Sequence, residues 1–167
     1  TRQEHPGLKA RELFSKIDSV VDFRKLKHVF DRADVVHLHW VPGIVDYANM
    51  DELADKAVVW TLADMNAFTG GCHYSEGCEG YKDKCLNCPL LNEASDLPHK
   101  AWKVKRDAYE KIPNLHVVCP SEWLAECARN SSLLGGRPIH VIPNALPVDR
   151  FTLVNRFVAR RKLGLPF

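Results

Sequence analysis

"ADVVHLHWV", Ala33 to Val41, is the stretch on which the reading of the fold turns. Val35, Val36 and Leu38 form a short apolar run behind Asp34, too short for a helix and rich in β-branched side chains, so the segment reads as a buried strand. Three similar runs follow it: "AVVWTL" (57–62), "LHVVCP" (115–120) and "IHVIPNA" (139–145). Helical patterns lie between them. "NMDELADK" is a short helix, "HKAWKVKRDAYEKI" a longer one entered through Asp96 and Pro98, and "EWLAECARNSS" is capped by Ser121. Trp102, Lys105 and Tyr109 fall near one face of the second of these. Upstream, Leu8–Ile17 and Val21–Phe30 carry apolar residues at three- and four-residue steps and read as amphipathic helices; "RFVARRKL" near the end is a basic helical stretch. Strands alternating with helices imply an α/β, Rossmann-like parallel sheet with helices on both faces.

In such sheets ligands gather at the carboxyl ends of the strands. The unusual residues lie there: His39 and Trp40 after the first strand, Asp64 after the second, Pro120 and Ser121 after the third, Pro143 and Asn144 after the fourth. His37 and His39 alternate with Leu38 and share a face; His39, at the strand's end, is the better ligand contact, and His37 the more ordinary hydrogen-bonded histidine. Asp64 is placed to act as a base or to accept from a sugar hydroxyl, and equally to serve as a turn or cap residue. Gly70 and Gly71 can bring backbone N–H groups close to a polar ligand, although the chain has neither a dinucleotide fingerprint nor a Walker pattern.

Of the 6 cysteines, four fall within "TGGCHYSEGCEGYKDKCLNCP" (69–89): Cys72, Cys78, Cys85 and Cys88. The two-residue gap between the last pair suits a shared metal ion, and four thiolates close a tetrahedral zinc site. His73 is an alternative ligand. Two disulfides, or four reduced thiols, are the other readings. Cys119 and Cys127 look structural.

The 167 residues are 46% hydrophobic and 26% charged, enough for a real core, which excludes disorder. A net charge of +2 gives no ground for a nucleic-acid partner. No run is long and apolar enough to span a bilayer. The chain opens without an initiating Met or an export signal, and the expectation is a fragment.

Taken together, "ADVVHLHWV", "VVWTLADMNAFTGGCHYSEGCEGYKDKCLNCPLL", "VVCPSEWLAECARNSSL" and "VIPNALPVDRF" resemble, in that order, the N-terminal domain of retaining glycosyltransferases of the GT-B fold (group 1, family 4), in particular a bacterial subgroup associated with surface polysaccharides. The resemblance implies an acceptor-binding domain over residues 1–142, with a Cys-rich loop at 69–91 and an interdomain connection at 143–167. A C-terminal domain that binds the nucleotide-sugar donor, and the opening unit of the first domain, would lie outside the chain, so that the chain alone would be inactive. Asp64 then carries whatever catalytic role this half has. His39, Trp40, Met65, Phe68, Gly70 and Gly71 line the cleft, and zinc, if bound by the four cysteines, is structural. The acceptor is a glycan or lipid-linked, the location cytoplasmic, with peripheral membrane contact through Lys103 and Arg106 if that face is not simply solvated. The sequence departs from the family pattern: Ala63 stands where a His near the donor sugar is usual, Asn66 and Ala67 replace Trp and Pro, and Ala145 and Leu146 replace Gly and Ile. The substitution of Ala63 keeps open a catalytically degenerate scaffold. A non-enzymatic zinc module is the further alternative, disfavoured by the mixed charges of Glu76, Glu79, Lys82, Asp83 and Lys84.

Overall fold

The structure, a computed structural model, describes residues 14–91 and 95–166. Its centre is a four-stranded parallel sheet, β1 (Val35–Leu38), β2 (Ala57–Thr61), β3 (Leu115–Cys119) and β4 (Ile139–Val141), in spatial order β1-β2-β3-β4. The register sets Leu38 beside Trp60, Trp60 beside Val117 and Val117 beside Ile139. The expected α/β parallel sheet is what the chain adopts, but among the described residues its core packing lies on one face, not on both as expected. Each strand is shorter than its apolar run, because the residues at its carboxyl end leave the ladder to form the loops described below.

The helices are α1 (Lys27–Phe30), α2 (Leu97–Glu110), α3 (Glu122–Arg129) and α4 (Arg156–Lys162). Ser121 caps α3 by accepting from the Leu124 N–H at 3.3 Å. Asp96 precedes α2 without a side-chain cap bond and pairs instead with Lys100 at 2.7 Å. The region expected as a helix over Val21–Phe30 splits into a 3-10 turn, Phe23–Leu26, and α1; Phe23 and Phe30 pack edge-on with centroids 5.3 Å apart. Of the helix expected over Leu8–Ile17, residues 8–13 lie outside the described residues, and 14–17 are not helical. Their backbone is used elsewhere: Phe14 bridges antiparallel to Cys72, and Ser15 N–H donates to Gly71 O at 2.9 Å. "NMDELADK" forms a 3-10 turn, Tyr47–Leu53, rather than a regular helix, with Met50 and Leu53 fully buried.

Packing among the described residues is one-sided. Val58, Trp60, Leu115, Val117 and Cys119 face the core with α2 and α3. The opposite face shows Val35, His37, His116 and His140 at the surface. A sheet whose strands follow one another in sequence order makes every right-handed crossover on the same side, which accounts for this asymmetry. On the open face His37 Nε2 bonds Thr61 Oγ1 at 2.8 Å, and the rings of His116 and His140 stack with centroids 5.6 Å apart. From Pro143 to Phe157 every residue is exposed, Phe151 and Leu153 among them. Among the described residues no helix is long and apolar enough to cross a membrane.

Replacing Ser121 with Ala removes the side-chain acceptor that caps α3. The expected loss is about 1 kcal/mol of folding stability, read from the urea midpoint at unchanged m-value.

Candidate functional site

The loops after β1 and β2 meet at the carboxyl edge of the sheet. His39, Trp40, Val41, Pro42, Ala63 and Asp64 line a small cavity there. Asp64 is its organising residue and is buried. Its Oδ2 accepts from Trp40 Nε1–H at 2.7 Å and from His73 Nδ1 at 2.6 Å, while Oδ1 accepts from the Asn66 N–H at 2.8 Å. With Nδ1 donating to the carboxylate, a neutral His73 ring leaves Nε2 as an acceptor, and the Ser15 hydroxyl lies 2.7 Å from it. A carboxylate engaged by three donors is a positioning group more than a free base. It fixes Trp40, whose ring is nonetheless 58% exposed, beside His73 at a centroid distance of 5.9 Å. His39 is exposed, its ring tilted by 39° against that of His37 with centroids 4.1 Å apart, and accepts at its carbonyl from Trp60 Nε1–H.

The turn after Asp64 is held from below by α2. Lys105, 1% exposed, donates from Nζ to Asn66 O at 2.6 Å and to Thr69 O at 3.1 Å; one turn on, Tyr109 Oη–H donates to Ala67 O at 2.6 Å. Burial pulls the Lys105 ammonium down to about 8, against the pull of Cys72, Cys85 and Asp64 in the other direction.

Not every expected cleft residue reaches the cleft. Phe68 is fully buried, packing edge-on against Tyr81 at 5.8 Å, and is a core residue. Met65 is likewise buried, at the floor of an open groove between the Cys-rich loop and α3 that Tyr74 and Trp123 also line. Gly70 and Gly71 do not offer their N–H groups to a ligand: Gly70 donates to Cys85 Sγ at 3.1 Å and Gly71 to Thr69 Oγ1 at 3.2 Å. They are glycines for close packing. A Cβ on Gly70 would lie 2.4 Å from Pro98 O, and one on Gly71, whose φ is +132°, would lie 2.5 Å from the Phe14 ring. Of the basic pair on α2, Lys103 is exposed, whereas Arg106 is engaged by Asp107 and lies over the Trp102 ring at 5.2 Å.

All six cysteines are free thiols. Cys72, Cys78, Cys85 and Cys88 line one small cavity with Gly70, Gly80, Tyr81 and Pro98. Burial pushes the Cys85 thiol up to about 12 and raises that of Cys72. Among the described residues no three His, Cys, Asp or Glu side chains stand in a ligating arrangement. His73, with both ring nitrogens engaged, belongs to the Asp64 cluster rather than to the thiols. The sequence signal for that was its place directly after Cys72 in the loop that closes over Asp64: Met65 N–H donates to His73 O at 2.9 Å.

The chain is similar to a glycosyl transferase. It is 30% identical over 122 residues to the "putative colanic acid biosynthesis glycosyl transferase WcaC" of Escherichia coli (strain K12). The match covers 67% of this chain and 30% of that protein, so the chain spans under a third of the length of this relative. No family model matches the chain, and no solved structure matches it significantly.

Gly70→Ala is expected to cost about 1–3 kcal/mol in chemical denaturation, because the new methyl meets backbone oxygen that cannot move aside. Gly136→Ala, whose Cβ enters open space, is expected to be neutral within about 0.5 kcal/mol.

Proposed function

We propose that this chain is the acceptor side of a glycosyltransferase of the GT-B kind. The full enzyme moves a hexose-type sugar from a nucleotide-sugar to a glycan or lipid-linked acceptor in polysaccharide synthesis, with retention at the anomeric carbon. In the transfer, the bond from that carbon to the diphosphate oxygen breaks. A bond to the acceptor oxygen forms, and the acceptor hydroxyl's proton passes to the departing nucleoside diphosphate. Similarity to a glycosyl transferase over 122 residues carries the reading. The geometry of the Trp40–Asp64–His73 cluster supports it. An exposed indole, tethered through its N–H to a buried carboxylate, presents a fixed flat surface suited to stacking on the apolar face of a sugar ring. None of the six cysteines is paired in a disulfide, which suits a reducing compartment, and the reading puts the reaction on the cytoplasmic side.

The reading assigns Trp40 to acceptor contact and Asp64 to positioning. In two-dimensional NMR of the 15N-labelled chain, titration with neutral and acidic oligosaccharides is expected to shift the Trp40 indole N–H. The Trp102 indole, tied to Ser132 Oγ at 2.9 Å and not among the residues lining the cavity, should stay unmoved. Trp40→Ala should abolish the binding without altering the far-UV spectrum. The isolated chain should produce no transfer from nucleotide-sugars, since the reading assigns donor binding to a domain outside it. Transfer by these 167 residues alone, or saccharide binding that survives Trp40→Ala, would overturn the proposal.

A catalytically degenerate scaffold is the second reading, and Ala63 favours it. Position 63 is exposed at the mouth of the cavity, so a larger side chain fits there. Ala63→His is expected to change stability by less than about 0.5 kcal/mol. If the surrounding enzyme is degenerate, the same change in the longer protein should raise transfer from background; if it is active, the change should alter donor preference.

A further inference from the structure

We propose that Cys72, Cys78, Cys85 and Cys88 close around one zinc ion as a four-thiolate clamp, with the buried Lys105 ammonium as its counter-charge. The sequence supplies the four sulfurs; the structure adds four observations that single out an ion over free thiols or disulfides.

The first is convergence. Chain segments up to 16 positions apart bring all four side chains to the walls of one small cavity, and none of the four is paired in a disulfide. The sulfurs are not yet in a ligating arrangement, so binding has to draw them inward. The second is the set of backbone donors already aimed at sulfur. Gly70 N–H reaches Cys85 Sγ at 3.1 Å and Gly80 N–H reaches Cys78 Sγ at 3.3 Å. Such donors support the negative charge of metal-bound thiolates, as the outer partners of metal ligands generally do. The third is backbone shape. Cys85 and Asn87 both hold left-handed φ values, 50° and 53°, in the C-x2-C turn. Non-glycine residues adopt that region at a cost, and here it curls the chain so that both ends of the turn face the same cavity. Glycine keeps the space clear: a Cβ on Gly80 would lie 3.4 Å from Cys78 Sγ, and one on Gly70 2.9 Å from Cys85 Cβ.

The fourth is electrostatic. Lys105 is fully enclosed; its ammonium donates to the neutral carbonyls of Asn66 and Thr69 and lies over the Tyr47 ring at 5.7 Å. A buried ammonium is costly without nearby negative charge. The ionisable groups whose fields reach it are Cys72, Cys85 and Asp64, so thiolates at the cavity would add to the one carboxylate already there. A zinc ion with four thiolates carries a net charge of minus two, which a neighbouring cation partly neutralises. Zinc fits better than a site with an open coordination position, because four sulfur ligands complete a tetrahedron and leave no place for substrate.

The test uses the chain purified without an affinity tag and without added metal. Elemental analysis is expected to find about one zinc per chain. Cys85→Ser and Cys88→Ser should lose it, while Cys119→Ser and Cys127→Ser keep it. Should the first pair fail to fold, cobalt exchanged into the unmodified chain reads the ligands directly: the expected spectrum has thiolate-to-cobalt charge transfer and the strong visible bands of a tetrahedral four-sulfur site. In chelator competition, Lys105→Met should weaken zinc binding by about tenfold or more. Zinc-free protein with six reactive thiols, an iron–sulfur chromophore, or a cobalt spectrum with fewer than four sulfurs would overturn the metal assignment. Unchanged affinity in Lys105→Met would overturn the role of the counter-charge.

Discussion

The irregular turn after β2 poses the constraint that the rest of the site answers. Residues Asn66–Phe68 form a single buried 3-10 turn capped by Thr69, and its backbone closes one weak bond of its own, Thr69 N–H to Asn66 O at 3.4 Å. Buried carbonyls must find donors. Here α2 supplies them from two side chains one turn apart: Lys105 takes Asn66 O and Thr69 O, and Tyr109 takes Ala67 O. The turn is thereby bolted to a helix, and both its ends are fixed. Asp64 lies just before it and Gly70 just after. One end organises the cluster at the sheet edge, and the other leads straight into the cysteines.

This arrangement explains why one stretch of chain can serve two purposes. Cys72 and His73 are neighbours in sequence, yet their side chains belong to different clusters, one facing the thiol cavity and the other facing Asp64. Asn66, which stands where the resembling family has Trp, turns its Nδ2 to Gly71 O at 2.7 Å and so joins the start of the turn to its exit. The loop is therefore not an ornament on the fold. It borders the candidate site through His73, which bonds Asp64 and lies beside Trp40, and shares its backbone supports.

Most of the architecture was legible in the chain because the strands announce themselves. Four short β-branched runs, each bounded by polar or helical segments, leave little freedom once a parallel sheet is assumed. The cap at Ser121 and the buried stripe Trp102, Lys105 and Tyr109 on α2 were equally readable from spacing. What spacing could not reach were contacts made across long separations. Ser15 lies 58 positions from His73, and the segment around it was read as helical because its apolar period suited a helix; tertiary pairing with Gly71 and Cys72 decided otherwise. The glycines were read as ligand-facing because backbone freedom suits both a ligand and a tight neighbour, and only the position of Pro98 and Phe14 separates the two. Phe68 was placed in the cleft by its neighbours in sequence and in the core by its neighbours in space.

A single oxygen, Asp64 Oδ2, holds both Trp40 from the loop after β1 and His73 from the Cys-rich loop. The two loops are thus braced against each other before anything binds. Their rotamer freedom is spent during folding, not on arrival of a ligand, so association need not be taxed for ordering them. For a ligand held loosely against the Trp40 ring, that shift in when the entropy is lost favours fast capture and release over tight retention.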